Sequence, residues 1–473
     1  MGFSHDVIVI GAGAAGLTAA GGCALFGLKV ALIERAEMGG ECLNNGCVPS
    51  KALITAARRA AVANEEKRYG VQLAAPRIDW AGVHAHIHAA IAGIAPHDSQ
   101  ERFEEMGCDV YRGHAVFVGK RKVQVEDTLL SAPRIVIATG SAPAIPPIAG
   151  LDEVPYLTNE NIWDLDALPQ HLVIVGGGVI GMEMAQSFRR LGSEVTVIEP
   201  DAPMGRDDPD SVAVVVDQMK AEGVMFVQGK AARVVPGALG SFTVTLEDGQ
   251  DIAGTHLLIA TGRKARVDEY GLEDIGVKLG RNGIAVDERR RTNLKHIYAI
   301  GDCREGPRLT HVSGYEGSNV ALEITLGLPT KVDWSALPWC TYTDPEVAQI
   351  GLTEAQAREE HGDRLTVVRE GFDDNERAVA EGDTRGHMKV MMVGKKVVGA
   401  SIVGRNAGEL LLPFTQLITG KASTFALGSA IVAYPTRSEI TKAAAFSAWE
   451  GTVFGGVPRG YAKTRAWMRK ITR

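Results

Sequence analysis

The chain has 473 residues, which exceeds the size of a single hydrophobic core and predicts two to four domains. Its 45% hydrophobic and 23% charged residues are typical of a globular protein, and a net charge of −7 argues against nucleic-acid binding. Six cysteines are too few for a secreted disulfide framework, which favours a reducing cytoplasm, and no uninterrupted apolar run reaches transmembrane length.

Residues 6–34 are predicted to form a strand, a glycine-rich turn, a helix and a second strand. A β-branched run precedes Gly11, Gly13 and Gly16, and the second strand ends in Glu34. Such glycines let a pyrophosphate approach the backbone at a helix N-terminus, and the acid accepts a hydrogen bond from a ribose 2′-hydroxyl. Because glycines break the apolar run, we interpret this region as a buried strand and helix rather than a signal peptide.

The next segment, GGECLNNGCVPSK, contains Cys42 and Cys47, five positions apart. A structural zinc site would need a second Cys/His cluster, and none complements this pair. A disulfide closing so short a loop would stabilise the fold by only about 2 kcal/mol. Pro49 is typical of a first helical turn, so Cys47 would lie at the positive end of a helix dipole, which favours its thiolate. We therefore interpret the pair as redox-active.

The first pattern recurs at residues 171–199 with identical spacing, from Gly176, Gly178 and Gly181 to Glu199. One such glycine motif is a weak signal in a glycine-rich chain. Two copies, each following a strand, opening a helix and meeting an acid, form the full dinucleotide-binding fingerprint. The sequence therefore predicts two bound dinucleotides.

Two later strands also end alike, in RIVIATGSAP at 134–143 and in HLLIATGRKA at 256–265. Hairpin-like segments such as FTVTLEDGQDI lie between the fingerprints and these endings. This arrangement suggests one Rossmann unit inserted into another. From Leu337 onward an alternating pattern predicts a separate α+β unit with a mostly antiparallel sheet.

These motifs resemble the FAD-dependent pyridine nucleotide–disulfide oxidoreductases, the two-cysteine class that includes mercuric ion reductase and dihydrolipoamide dehydrogenase. The resemblance covers nearly the whole chain, including GGECLNNGCVPSKAL, YAIGDC, YTDPEVAQIGLTE and YPTRSE. It implies an α/β fold with two Rossmann-like, doubly wound dinucleotide-binding domains, one inserted in the other, and a C-terminal α+β dimerisation domain. The expected division is an FAD-binding domain at 1–150 and 269–332, an NAD-binding domain at 151–268, an interface domain at 333–450 and a basic tail at 451–473.

The resemblance implies two cofactors. The first fingerprint would bind FAD, with Glu34 on the adenosine ribose and Asp302 on the ribityl chain. The second would bind the nicotinamide cofactor, and Glu199 would repel a 2′-phosphate by roughly 1 to 4 kcal/mol per charge pair. We therefore expect NADH to be preferred, with NADPH as the second choice because Arg206 lies on a nearby loop of the sequence. The remaining cofactor-binding positions matched to the family are Thr139, Gly140, Gly262 and Gly301.

By the same resemblance, Cys47 is the flavin-proximal charge-transfer thiol and Cys42 the interchange thiol that meets substrate. Lys51 and Glu183 would pair near flavin N5. No metal ligands of the protein's own are predicted. Cys303 and Cys340 could in principle replace the cysteine pair that usually ends mercuric ion reductases, but we expect them to be buried, inert thiols. We expect a homodimer with a shared active site.

The family pattern breaks near the C-terminus. Lipoamide and glutathione enzymes carry His-Pro-x-x-x-Glu there, and the partner subunit supplies the histidine as an acid–base group. This sequence retains Glu439 but has Tyr434 in the place of the histidine. Tyrosine titrates near pH ~10 and histidine near ~6.5, so tyrosine is the poorer base for a dithiol. Mercuric ion reductases similarly have tyrosine there, although the vicinal cysteine pair that usually ends them is missing from 450–473.

We therefore expect electrons to pass from NAD(P)H through flavin and the Cys42–Cys47 disulfide to a soft metal ion or a small disulfide. One alternative is a dihydrolipoamide dehydrogenase of a lipoyl-protein system, and another is a non-enzymatic flavoprotein redox sensor. The tail at 451–473 has no acidic residue. We expect a solvated terminal helix there, with contact to anionic lipid or an acidic partner as the alternative.

Overall fold

The computed structural model describes residues 2–65 and 69–471, which form two compact units. The first unit contains 2–65, Gln72–Ala202 and Gly223–Val332, and the second contains 69–71, Pro203–Glu222 and 333–471. The finer division into five segments expected from the sequence stays a prediction.

The elements of the first third of the chain are, in order, β1 (Val7–Ile10), α1 (Ala14–Leu25), β2 (Val30–Glu34), α2 (Gly40–Asn44), α3 (Cys47–Glu65), α4 (Trp80–Ile94), α5 (Gln100–Glu105), β3 (Cys108–Arg112), β4 (Ala115–Gly119), β5 (Lys122–Val125), β6 (Thr128–Ser131), β7 (Arg134–Ile137) and β8 (Ser141–Pro143).

The elements that follow are β9 (Tyr156–Leu157), β10 (His171–Val175), α6 (Val179–Leu191), β11 (Glu194–Glu199), α7 (Pro209–Ala221), β12 (Met225–Gln228), β13 (Ala231–Pro236), β14 (Phe242–Leu246), β15 (Asp251–Gly254), β16 (His256–Ile259), β17 (Arg263–Ala265), β18 (Ile297–Ala299) and α8 (Thr310–Leu326).

The last elements are β19 (Pro338–Thr341), β20 (Glu346–Gly351), α9 (Glu354–His361), β21 (Leu365–Gly371), α10 (Glu376–Ala380), β22 (His387–Val393), β23 (Lys396–Gly404), α11 (Leu412–Ile418), α12 (Thr424–Gly428), α13 (Glu439–Val453) and α14 (Gly456–Ile471).

The first glycine-rich unit lies in a five-stranded parallel sheet with the order β18-β7-β1-β2-β3. Both faces of this sheet are covered, because Ile8 and Ile10 belong to one buried cluster and Val7 and Val9 to another. A continuous β-branched run is typical of such a doubly covered parallel strand. Helices α1 and α8 approach closely, since a Cβ added to Gly22 would lie 2.8 Å from Ala321.

The second glycine-rich unit lies in another parallel sheet, with the order β12-β11-β10-β16-β9. The chain leaves the first sheet through β8 and returns through β17, and these two strands pair with each other as an antiparallel ribbon. The second sheet is therefore an insertion within the first, as the sequence predicts. The hairpin of FTVTLEDGQDI is also present, as β14 and β15 with a turn at Gly249.

The second compact unit contains a five-stranded antiparallel sheet with the order β19-β20-β23-β22-β21. Its core includes buried Ile350, Val390 and Ile402 from the strands and Phe414 from α11. The predicted α/β class with a C-terminal α+β unit is thus confirmed. Within the described ranges, no helix is both long enough and apolar enough to cross a lipid bilayer.

Candidate functional site

The turn after β1 places backbone atoms so tightly that only glycine fits. Gly11 has φ +105°, and a Cβ added there would lie 2.3 Å from the carbonyl oxygen of Ala138. A Cβ on Gly16, one turn into α1, would lie 1.8 Å from the carbonyl oxygen of Gly11. The chain therefore brings the N-terminus of α1 directly against the end of β1, where backbone N–H groups can receive an anion.

Glu34, at the end of β2, holds this turn in place. Its Oε2 accepts a hydrogen bond from the Ala12 amide at 2.6 Å, and its Oε1 accepts one from the Ala36 amide at 2.8 Å. The carboxylate thus lies beside the glycine turn, which is where the sequence places a ribose-binding acid. The amide contacts are an additional structural role that the motif alone does not reveal.

The turn after β10 repeats this geometry. Gly176 has φ +113°, and a Cβ on Gly181 would lie 2.0 Å from the carbonyl oxygen of Gly176. Glu199 Oε2 accepts a hydrogen bond from the Gly177 amide at 2.6 Å. Arg206, the residue considered for a 2′-phosphate, is exposed.

A cavity of about 260 Å³ adjoins the first turn. Its walls contain the predicted cofactor-binding residues Gly11, Gly13, Glu34, Thr139 and Gly140, and also Arg266 and Tyr270. The glycine turn, the helix N-terminus and this concave lining fit an extended dinucleotide such as FAD. Thr139 donates its hydroxyl to the Arg266 carbonyl at 2.6 Å and so fixes one wall.

Two further predicted positions lie at the carboxyl ends of strands. Gly301 follows β18 with φ +70°, and its amide donates to buried Glu316 at 2.8 Å. Gly262 follows β16 with φ +136°. Glu316 is in turn paired with buried Arg304 at 2.8 Å, a support for this turn that sequence patterns did not indicate.

The two cysteines lie on consecutive helices. Cys42 is in α2 and half-buried, whereas Cys47 is the first residue of α3 and exposed, and both are free thiols. Cys47 Sγ lies 3.2 Å from the hydroxyl of Thr310. Hydrogen bonding from the Cys42 thiol, together with Thr310 and the charge of Lys51, lowers the pKa of Cys47 to about 6. The same hydrogen bond, with burial, raises the pKa of Cys42.

Lys51 and Glu183 form the ion pair that the family resemblance implies. Lys51 Nζ lies 3.0 Å from Glu183 Oε2, and only 4% of the Glu183 side chain is exposed. The pair joins α3, which begins at Cys47, to α6, which begins at the second glycine turn. The cysteine helix and the second dinucleotide-binding unit are therefore connected through one buried carboxylate.

A second connection was not predicted from the sequence. Glu41, next to Cys42, binds the guanidinium of Arg263 and the amide of Asn159. Burial raises the pKa of Glu41 against the opposing charge of Arg263. Arg263 Nε donates to Ser141 Oγ at 2.8 Å, and Ser141 donates to Asp302 Oδ2 at 2.7 Å. A continuous polar network thus joins the cysteine segment to the acid predicted to bind the ribityl chain.

Tyr434 and Glu439 lie in the second compact unit. The Tyr434 residue is 71% exposed, and Glu439 opens α13 and accepts a hydrogen bond from the Thr436 amide at 3.2 Å. The expectation that Cys340 is buried is wrong, because β19 lies at the edge of its sheet and leaves this thiol only half-buried. Cys303 is fully buried.

Comparison with known proteins identifies the class. Residues 5–317 match the model for "Pyridine nucleotide-disulphide oxidoreductase", and residues 337–445 match its dimerisation domain. The chain therefore belongs to the pyridine nucleotide-disulphide oxidoreductase family. The dimerisation-domain match supports a homodimer.

The proteins to which this chain is similar are named for different reactions. A mercuric reductase from Lysinibacillus sphaericus is 33% identical over 94% of this chain and 82% of its own length. A dihydrolipoyl dehydrogenase from Bacillus subtilis is 33% identical over 93% of this chain and 95% of its own. The solved structure of the Cu(II) complex of the HOCl-induced flavoprotein disulfide reductase RclA from Escherichia coli has a TM-score of 0.84 at 26% identity, covering 94% of this chain and 99% of that one.

These relatives establish an enzyme rather than a non-enzymatic sensor. The chain is an FAD-dependent disulfide oxidoreductase, and proteins of its family bind FAD and use NAD(P)H. Two relatives of different activity, at the same 33% identity, do not distinguish the electron acceptor.

Proposed function

We propose that this enzyme uses NADH to reduce a soft metal ion or a small disulfide at the Cys42–Cys47 pair. The observation that carries the proposal is Tyr434, an exposed phenol where lipoamide enzymes place an acid–base histidine. A phenol remains protonated near neutral pH and is a poor base for dihydrolipoamide. It can still donate a hydrogen bond to an acceptor held by sulfur.

The state of the dithiol supports the same proposal. The pKa of Cys47 is lowered to about 6, so this sulfur is a thiolate at neutral pH, and Cys42 retains its proton. Thiolates are preferred ligands of soft metal ions. The Cys47 thiolate and the Cys42 thiol together supply two electrons to Hg(II), which gives Hg(0), the Cys42–Cys47 disulfide and the one proton that Cys42 carried. With a small disulfide, the same two electrons, the Cys42 proton and one proton from water give two product thiols.

The proposal gives a role to the flavin, to the ion pair on the cysteine helix and to the acid at the second glycine turn. Bound FAD supplies the two-electron relay between a nicotinamide and a disulfide. Glu183 keeps the Lys51 ammonium in a fixed position on the cysteine helix. Glu199, whose carboxylate borders the second glycine turn, favours the free 2′-hydroxyl of NADH over a 2′-phosphate.

An anaerobic acceptor screen tests the proposal. Purified enzyme with NADH is offered Hg(II), Cu(II), glutathione disulfide or lipoamide, and NADH oxidation is followed. We expect Hg(II), Cu(II) or glutathione disulfide to be reduced at least tenfold faster than lipoamide, with Cys42→Ser inactive toward each.

Tyr434 variants sharpen the screen. Tyr434→His should raise lipoamide turnover, because an imidazole can take a thiol proton near pH 7, while Tyr434→Phe serves as the matched control without a titrating group. A wild-type enzyme that prefers lipoamide would instead assign the dihydrolipoamide dehydrogenase function and overturn the proposal.

A further inference from the structure

The C-terminal helix α14 lies outside both matched family domains, since the dimerisation-domain match ends at residue 445. Each of the 16 residues from Gly456 to Ile471 is exposed. The helix therefore adds surface, and its side chains contribute nothing to the buried cores of the chain. What that surface can bind depends on how its residues are distributed around the helix axis.

One side of α14 carries its large apolar and aromatic side chains, together with Gly460 and Thr464. At about 100° per residue, Val457, Tyr461, Trp467 and Ile471 fall within an arc of roughly 120°. Their residues are 85%, 65%, 62% and 61% exposed, respectively. Tyr461 and Trp467 lie at the two edges of this arc. Aromatic rings with a polar atom are favoured at such boundaries, because one end is apolar and the other can face water.

The rest of the α14 circumference carries all of its charge, and Lys463 and Arg465 lie about 40° beyond the two edges of the apolar arc. It carries five cations and no carboxylate, namely Arg459, Lys463, Arg465, Arg469 and Lys470. The chain as a whole has a net charge of −7. Positive charge is thus concentrated on the helix that also exposes the apolar arc. A solvated helix that had no partner would not need that apolar arc.

We propose that α14 binds the enzyme to the surface of an anionic lipid bilayer, lying parallel to the membrane with its apolar arc in the headgroup region. Charge complementarity and the aromatic edges favour this occupant. The basic residues flank the apolar arc over a wide angle, which suits a plane of lipid phosphates better than the narrow groove of an acidic protein. This inference does not depend on which electron acceptor the active site uses.

Vesicle co-sedimentation of the full-length flavoprotein tests the proposal. Vesicles of phosphatidylcholine alone are compared with vesicles containing about one third phosphatidylglycerol, because each basic residue near an anionic surface contributes to binding. We expect at least tenfold tighter binding to the anionic vesicles and loss of that difference at high salt. Brominated lipids should quench part of the tryptophan fluorescence in the wild type and less in Trp467→Phe.

Two triple variants separate the charged and apolar contributions. Lys463→Glu/Arg465→Glu/Arg469→Glu should reduce binding to anionic vesicles at least tenfold, and Val457→Ser/Tyr461→Ser/Ile471→Ser should reduce it as well. The matched control, Lys122→Glu/Arg233→Glu/Lys278→Glu, makes the same charge change at exposed residues of the first compact unit and should bind like wild type. NADH oxidation in solution and molecular mass should be unchanged in all three.

Three results would overturn the proposal. The first is equal binding to neutral and anionic vesicles. The second is a loss of binding in the control variant as large as in the α14 charge variant. The third is a change of oligomeric mass in the apolar variant without any loss of vesicle binding, which would assign the apolar arc to a second copy of the chain.

Discussion

In the first glycine-rich unit, Gly39 and Gly40 pack on Gly13 in the turn after β1, whereas the equivalent Gly178 in the turn after β10 has no such contact. Gly39 forms a bridge with Gly13, and a Cβ added to Gly40 would lie 2.6 Å from the Cα of Gly13. At Gly178, the position equivalent to Gly13, an added Cβ would have no described atom within 4 Å.

The two units therefore share one backbone framework and differ in whether a further segment packs on the middle glycine of the turn. Both hold a glutamate against a turn amide at 2.6 Å, so the framework alone does not separate their roles. A turn with a segment packed on it suits a cofactor that stays bound through many turnovers, and a turn without one suits a cofactor that must exchange in every cycle. Gly40, which packs on the first turn, is also the first residue of α2, the helix that carries Cys42. The segment that packs on the first glycine turn is therefore continuous with the redox-active cysteines.

The largest effect is expected from the loss of Cys42, which lies in α2, two residues after Gly40. The second glycine-rich unit has no equivalent cysteine. Cys42→Ser should lower turnover with every disulfide or metal acceptor at least a thousandfold, since the disulfide can no longer form. Anaerobic NADH should still bleach the flavin, because the second glycine-rich unit, the proposed NADH site, is unchanged. Stopped-flow absorbance measures that half-reaction. Cys303→Ser, at a fully buried thiol, is the control, and its turnover should stay within severalfold of wild type.

Replacing one glycine of either unit by alanine should weaken the binding of that unit's own cofactor by about a hundredfold and leave the other cofactor's binding unchanged. Gly40→Ala places a Cβ 2.6 Å from Gly13 at φ +61°, so we expect the protein to be purified largely without flavin. Gly178→Ala causes no internal clash and should keep its flavin, while the NADH KM rises because the methyl group occupies space needed by the pyrophosphate. The flavin-to-protein absorbance ratio and steady-state kinetics distinguish the two. Flavin loss in Gly178→Ala would contradict the comparison.

Local patterns explain why so much of this arrangement was predictable. Each fingerprint, from its first glycine to its acid, spans 24 residues, and the two cysteines are five positions apart. Short-range backbone geometry requires glycine at the fingerprint turns. By contrast, Glu41 and Arg263 are 222 residues apart, and Cys47 and Thr310 are 263 apart. Such partners meet only through sheet topology, so no spacing rule indicates them.

Exposure was less predictable than position. Cys340 was expected to be buried because cysteine is usually so, but the placement of its strand at a sheet edge leaves it half-buried. The hydrogen bonds that Glu34 and Glu199 accept from the turn amides were also not predicted, because the equal spacing of the two units indicates a ribose-binding acid and not this structural role.

A smaller effect is expected from Glu199, which lies beside the glycine turn of the second unit. Glu199→Gln retains an oxygen that can accept the hydrogen bond from the Gly177 amide, and it removes the negative charge. We expect the ratio of NADH to NADPH kcat/KM to fall by roughly tenfold, in line with about 1.4 kcal/mol of relieved repulsion. The equivalent change in the first unit, Glu34→Gln, is the control and should leave this ratio unchanged. An unaltered ratio in Glu199→Gln would remove the proposed role of its charge.

The smallest expected effect is a pH dependence confined to the thiol side. The pKa of Cys47 is lowered to about 6, so its thiolate persists at neutral pH and is lost as the pH falls through about 6. Because the hydrogen bond from Cys42 is the largest cause, Cys42→Ala should move this titration upward toward the ordinary thiol value of roughly 8.5. Ultraviolet thiolate absorbance of the reduced enzyme measures both titrations, with Cys47→Ser as the blank. Thr310→Val removes a weaker contribution and should move the pKa upward by less than Cys42→Ala does. A wild-type pKa near the ordinary thiol value would show that Cys42 does not lower the pKa of Cys47. The only remaining link between the first unit and the chemistry would then be that the two cysteines are close to its cofactor site.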